Sequence, residues 1–102
     1  MMRACSLSEI PAEGAQRVVL DGVALCVART EGHVFAISDV CSHADVSLSE
    51  GEVEDGTIEC WLHGSRFNLR TGAPTGLPAV KPVATYPVTV DGDDVFVKLE
   101  KQ

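Results

Sequence analysis

Hydrophobic and polar positions alternate along both ends of this chain, and the alternation breaks down in the middle. Residues 16–20 and 23–30 are apolar, β-branched runs joined by Asp21-Gly22, a dipeptide suited to a two-residue hairpin turn. Glu31-Gly32 then turns the chain into residues 33–40, so the first third predicts a three-strand meander. Ahead of it, Ser6 and Glu9 have capping-box spacing and predict one helical turn, ended by Pro11 and Gly14. At the other end, residues 84–90 and 95–99 predict two strands paired across residues 91–94. Between these, residues 57–61 and 66–69 predict short strands, the second closed by Arg70-Thr71-Gly72. Residues 46–50 suit a turn of helix, and residues 50–56 an acidic turn. Pro74, Pro78, Pro82 and Pro87 punctuate a loop and a strand edge, because proline cannot donate to a ladder.

Short strands with turn signals at close intervals predict an all-β fold, an antiparallel sandwich or barrel. The interruption over residues 40–72 predicts a small lobe inserted between strands of a larger β base. A length of 102 residues, without internal repeat or linker, predicts a single domain over 1–102. Hydrophobic residues make up 45% and aromatics only 5%, so the core must be built mainly from Val, Leu, Ile and Ala.

A net charge of −7 argues against nucleic acid and anionic membranes as partners, since both call for Lys and Arg. It suits a basic patch on a protein partner, and it also aids solubility. No stretch approaches the roughly 20 apolar residues of a membrane span, and the N-terminus lacks the apolar run of a signal peptide. The expected setting is therefore the reducing cytoplasm, where four cysteines point to metal binding before disulfides.

Two of those cysteines belong to a distinctive pattern: Cys41-x-His43, then Cys60-x-x-His63. Thiolate and imidazole together suit an iron–sulfur cluster or zinc and exclude a site for magnesium or calcium. A zinc finger places its cysteines in one pair and its histidines in another. Here each pair is mixed, which allows the thiolates to bind one metal and the imidazoles a second. Cys26 lies mid-strand among Leu25, Val27 and Ala28 and reads as a small buried hydrophobe. Cys5 also lies outside the motif, and a Cys5–Cys26 disulfide is not expected. His33 follows a turn and should be exposed. Trp61, inside the second pair, either packs under its loop or shields a centre and offers a docking face. No nucleophile–base set or phosphate loop accompanies the motif, which argues for a carrier over an enzyme.

The segment Cys41-x-His43…Cys60-x-x-His63-Gly64-Ser65-x-Phe67, with Gly72 and the loop Gly76-Leu77-Pro78-Ala79, closely resembles the Rieske [2Fe–2S] family. The resemblance extends from Ala4 to Leu99, and it is to the small ferredoxins that serve bacterial aromatic-ring dioxygenases. It implies one [2Fe–2S] cluster held by Cys41, His43, Cys60 and His63, with Ser65, Phe67, Trp61 and Pro78 around it. It further implies a monomer that takes electrons from a flavin-dependent reductase and passes them to a terminal non-haem iron oxygenase. A small subunit fixed in a larger reductase, such as an assimilatory nitrite reductase, a carrier for another redox or iron–sulfur pathway, and a structural zinc module are the alternatives.

Departures from the high-potential branch of the family bear on redox tuning. Respiratory Rieske proteins carry a disulfide between the ligand loops; Val46 and Leu62 stand at the matching positions here. Phe67 stands where high-potential members have a tyrosine, whereas Ser65 matches their pattern. Fewer donors to sulfur leave the electron-rich reduced state less stabilised, and the acidic protein acts in the same direction until salt screens it. These features predict a midpoint near the bottom of the Rieske range, about −150 mV, nearly flat between about pH 6 and 8. Phe67→Tyr should raise it and Ser65→Ala should lower it. Protein-film voltammetry reads all three; a wild-type midpoint near +300 mV would show that other donors dominate.

Overall fold

Four successive residues of one strand, Leu25, Cys26, Val27 and Ala28, are fully buried. Side chains of a strand alternate between faces, so a run like this needs cover on both sides. The computed structural model, which describes residues 1–42, 46–62, 64–76 and 81–100, shows how both are covered. Leu25 and Val27 face a core shared with Cys5, Ile10, Val18, Tyr86, Val95 and Val97. Cys26 and Ala28 face a second core, with Ile37, Cys41, Leu48, Ile58, Cys60 and Phe67.

The strand is β3 (Val23–Thr30), and it pairs on either side with β2 (Gly14–Leu20) and β4 (His33–Ser38). A short strand, β8 (Thr85–Tyr86), extends the order to β2-β3-β4-β8. A second sheet has the order β1-β10-β9, from β1 (Met2–Ser6), β9 (Val88–Asp91) and β10 (Asp94–Val97). The two sheets enclose the first core. A third sheet, from β5 (Val53–Glu54), β6 (Thr57–Glu59) and β7 (Arg66–Asn68), closes the second core. All pairings are antiparallel, and no α-helix occurs among the described residues. The fold is thus the expected all-β class, with Rieske-like antiparallel sheets.

The hairpin expectations hold at the level of backbone angles. Asp21 and Gly22 have φ of 50° and 79°, and Glu31 and Gly32 have 51° and 78°. Two consecutive positive values define the type I′ turn, whose twist matches that of its strands. The capping box also forms: the Ser6 amide donates to the Glu9 carboxylate at 2.8 Å, and a 3-10 turn spans Leu7–Glu9. That bond holds the Glu9 carboxyl below its ordinary pKa. A second 3-10 turn, Leu48–Glu50, falls where a turn of helix is expected.

Other expectations need correction. β1 has no alternating pattern and owes its existence to β10, about ninety positions away, across a ladder that contains a bulge. The acidic stretch at 50–56 is not all turn: Val53 is buried and pairs with Ile58, with Asp55-Gly56 forming a further type I′ turn. The strand expected over 84–90 is two strands in different sheets, divided at Pro87, which has no amide hydrogen to donate. Strands end earlier than expected on the approach to the motif, at Ser38 and at Glu59, leaving Val40 with an isolated bridge to Ser47.

Gly51 marks the closest approach between the first half of the motif region and the second. A Cβ there would collide with the main-chain oxygen of Glu59, the residue before Cys60. Gly51→Ala should therefore cost about 3 kcal/mol, at the upper end for overpacking. Gly32→Ala, strained only by its φ of +78° with open space around it, should cost about 1 kcal/mol. Urea denaturation of the two variants checks this; equal losses would mean that the 51–59 approach is slack.

Candidate metal centre

Cys41 and Cys60 begin two loops that are closed in the same way. The Cys41 amide donates to the carbonyl of Val46 at 3.1 Å, and the Cys60 amide donates to the carbonyl of Ser65 at 2.6 Å. Each cysteine is thus bonded five residues ahead, across the positions that carry the histidine in sequence. His43 and His63 themselves, and Pro78, lie outside the described residues. The second loop is further tightened by a bond from the Gly64 amide to the Cys60 carbonyl, with Gly64 at φ 76°.

Several contacts bring the loops together. The Val40–Ser47 bridge narrows the neck of the first. Leu48, just beyond it, is fully buried in the core that holds Cys41, Ile58, Cys60 and Phe67. The Glu59 amide donates to the Glu52 carbonyl at 2.9 Å, fastening the strand that leads into Cys60. Residues 81–84 then lie against both sides: the Ser42 hydroxyl donates to the Lys81 carbonyl at 2.6 Å, and the Val83 amide donates to the Gly72 carbonyl at 2.9 Å. Gly72 is required there, because its φ is +77° and a Cβ would collide with the Val83 oxygen.

Exposures of 3% for Cys41 and 0% for Cys60 put both sulfurs away from solvent in an apolar surround. Thiolates in such a place need a cation beside them, so the donor set fits a thiophilic metal centre. Cys26 is equally buried. Burial first, and then the Asp39 carboxylate, push its thiol far up, so it stays protonated. Cys5 is buried in the other core, where burial raises its pKa as well. No disulfide involves either. Among the described residues, no group of three or more His, Cys, Asp or Glu side chains is placed to hold a metal.

Phe67 is fully buried in the core that includes both loop cysteines, and Ser65 is 1% exposed. Trp61 is half exposed, and Leu62 and Val40 are exposed with it. His33 is exposed, as expected. Sequence reasoning did not single out Asp39. It is buried two residues before Cys41, and its Oδ1 accepts from the Ser49 amide at 2.8 Å. The available signal was a carboxylate ending an apolar run just before the first metal-ligand pair. Ser42 was likewise not singled out.

Antiparallel sheets carrying two matched, cysteine-bearing loops against one apolar core define a metal-centre protein of the iron–sulfur class. The Rieske [2Fe–2S] domain family matches residues 1–87, and the chain belongs to that family. Its cofactor is accordingly one Rieske-type [2Fe–2S] cluster. The chain is 42% identical over 97 residues to the 3-phenylpropionate/cinnamic acid dioxygenase ferredoxin subunit of Escherichia coli K12, covering 94% of this chain and 91% of that one. The ferredoxin of carbazole 1,9a-dioxygenase from Nocardioides aromaticivorans IC177 superposes with a TM-score of 0.89 at 41% identity, over 94% of each chain. A carbazole 1,9a-dioxygenase ferredoxin, seen in complex with its oxygenase, superposes at 0.92 with 34% identity, over 99% of this chain and 94% of that one. This is an electron carrier of the ferredoxin kind and not itself the catalytic component. Among the described residues, no helix is long and apolar enough to cross a membrane.

Proposed function

We propose that Cys41 and Cys60 bind one iron of the cluster, that His43 and His63 bind the other, and that the protein relays electrons from a flavin-dependent reductase to a terminal non-haem iron oxygenase. The observation that carries the ligand assignment is the matched closure of the two loops, each from a buried cysteine amide to the carbonyl five residues on. The relatives named as dioxygenase ferredoxin subunits, one of them seen bound to its oxygenase, support the choice of acceptor.

When bound, the cluster supplies one-electron oxidation and reduction without an open metal position for substrate. The chain's own residues do the rest. Cys41 and Cys60 place two negative sulfurs in an apolar core, and two neutral imidazoles keep the site less negative than four thiolates would. Leu48, Ile58 and Phe67 keep water from that side. Ser65 is assigned as a hydroxyl donor toward sulfur, and Pro78 as a further residue around the cluster. Val40, Trp61 and Leu62 form an apolar rim for a partner to cover, and the net charge of −7 favours a basic surface on that partner. A cytoplasmic monomer fits this reading.

Anaerobic spectrophotometry tests the proposal. A flavin-dependent reductase supplied with a limiting nicotinamide donor should bleach the visible bands, and an excess of oxidised aromatic-ring oxygenase, accepting the electrons, should restore them. Cys60→Ser should lose the cluster. Cys26→Ala should retain it while changing stability by roughly 1 kcal/mol. Loss of the cluster in Cys26→Ala with retention in Cys60→Ser would overturn the ligand assignment.

A further inference from the structure

Arg17, Cys26 and Ile37 stand side by side on β2, β3 and β4, so all three point to the face that supports the motif loops. Asp39 is two residues beyond Ile37 on that face. Four interactions meet at this one residue. Its amide donates to the Ala24 carbonyl at 3.1 Å, and its carbonyl accepts from the Leu48 amide at 2.7 Å. One carboxylate oxygen takes the Ser49 amide at 2.8 Å, and the other faces Arg17 Nε at 3.2 Å. Asp39 therefore ties the start of the first loop to its end, and ties both to the central strand. The carboxylate is 1% exposed, whereas Arg17 is 55% exposed. A buried charge this isolated from water needs its partner.

We propose that Asp39, charge-compensated by Arg17, is a positioning residue for the Cys41 loop and a fixed electrostatic element that sets the potential of the centre beside it. The inference rests on Cys41 being a ligand. Two residues span at most about 7 Å of chain, which bounds the distance between the Asp39 and Cys41 backbones, and both side chains are buried, where salt screens little. With Arg17 in place, the pair presents little net charge to the cluster. Without it, a bare anion opposes the arrival of an electron. The upward push that Asp39 exerts on the Cys26 thiol agrees with its field reaching into this core.

The test is a charge cycle on holoprotein by protein-film voltammetry at pH 8, with iron content and visible spectrum recorded for each variant. Arg17→Gln should lower the midpoint, shifting the reduced-to-oxidised ratio at fixed potential at least threefold, about 28 mV at 59 mV per tenfold. Asp39→Asn keeps an acceptor for Ser49 and removes the anion, so it should raise the midpoint. Arg17→Lys should stay near wild type, and the double variant should fall between the singles. Arg17→Gln leaves the buried Asp39 carboxylate without its countercharge, so its iron content and spectrum are checked first; if it does not fold, Arg17→Lys and Asp39→Asn decide the matter. A normal cluster with an unmoved midpoint in Arg17→Gln, or both singles moving in one direction, would overturn this inference alone. A cluster that survives Cys41→Ser in the otherwise unchanged protein would overturn the ligand assignment and this inference with it.

Discussion

The structure depends on β3 being buried on both faces. Its odd positions, Leu25 and Val27, complete the core between the two larger sheets. Its even positions, Cys26 and Ala28, form the floor beneath the loops of the metal centre. A one-residue slip in register would exchange these sets, placing a thiol in the base and larger side chains under the loops. The two type I′ turns that flank β3 fix that register on both sides. Base and centre are thus coupled through one strand, and the rigidity that positions the loops comes from pairing in the central sheet.

On that floor the loops reach similar geometry from different sequence. The first has one residue between its cysteine and histidine and the second has two: Cys-x-His against Cys-x-x-His. Yet both close at the same distance from the cysteine, through its own amide. Main-chain closure leaves the thiol group available to a metal and fixes the direction in which the loop departs. Gly51, Gly64 and Gly72 occur where a side chain would push these segments apart or where φ is positive. Apart from its cysteines and phenylalanines the surrounding core is aliphatic, so few charged groups lie near the sulfurs, and the Asp39–Arg17 pair is prominent among them.

Local signals in the sequence were the reliable ones. Asp21-Gly22 and Glu31-Gly32 announce their turns because only a short list of residues accepts two successive positive φ values. The mixed Cys/His pairs announce a metal because no ordinary core needs them at that spacing. What stayed hidden depends on distant partners. β1 exists through β10, β5 exists because Val53 can be buried against Ile58, and the split at Pro87 reflects a change of sheet that composition does not encode. Asp39 was illegible for the same reason: its meaning comes from Arg17, two strands away, and from Ser49, ten residues on.

The proposed ligand set, two thiolates and two imidazoles on one cluster, is read most directly by pulsed EPR of the reduced protein grown with 15N-histidine. Two strongly coupled histidine nitrogens on one iron are expected, with an average g below that of all-cysteine clusters. A spectrum without histidine nitrogen coupling, or a colourless protein containing zinc, would contradict that ligand set.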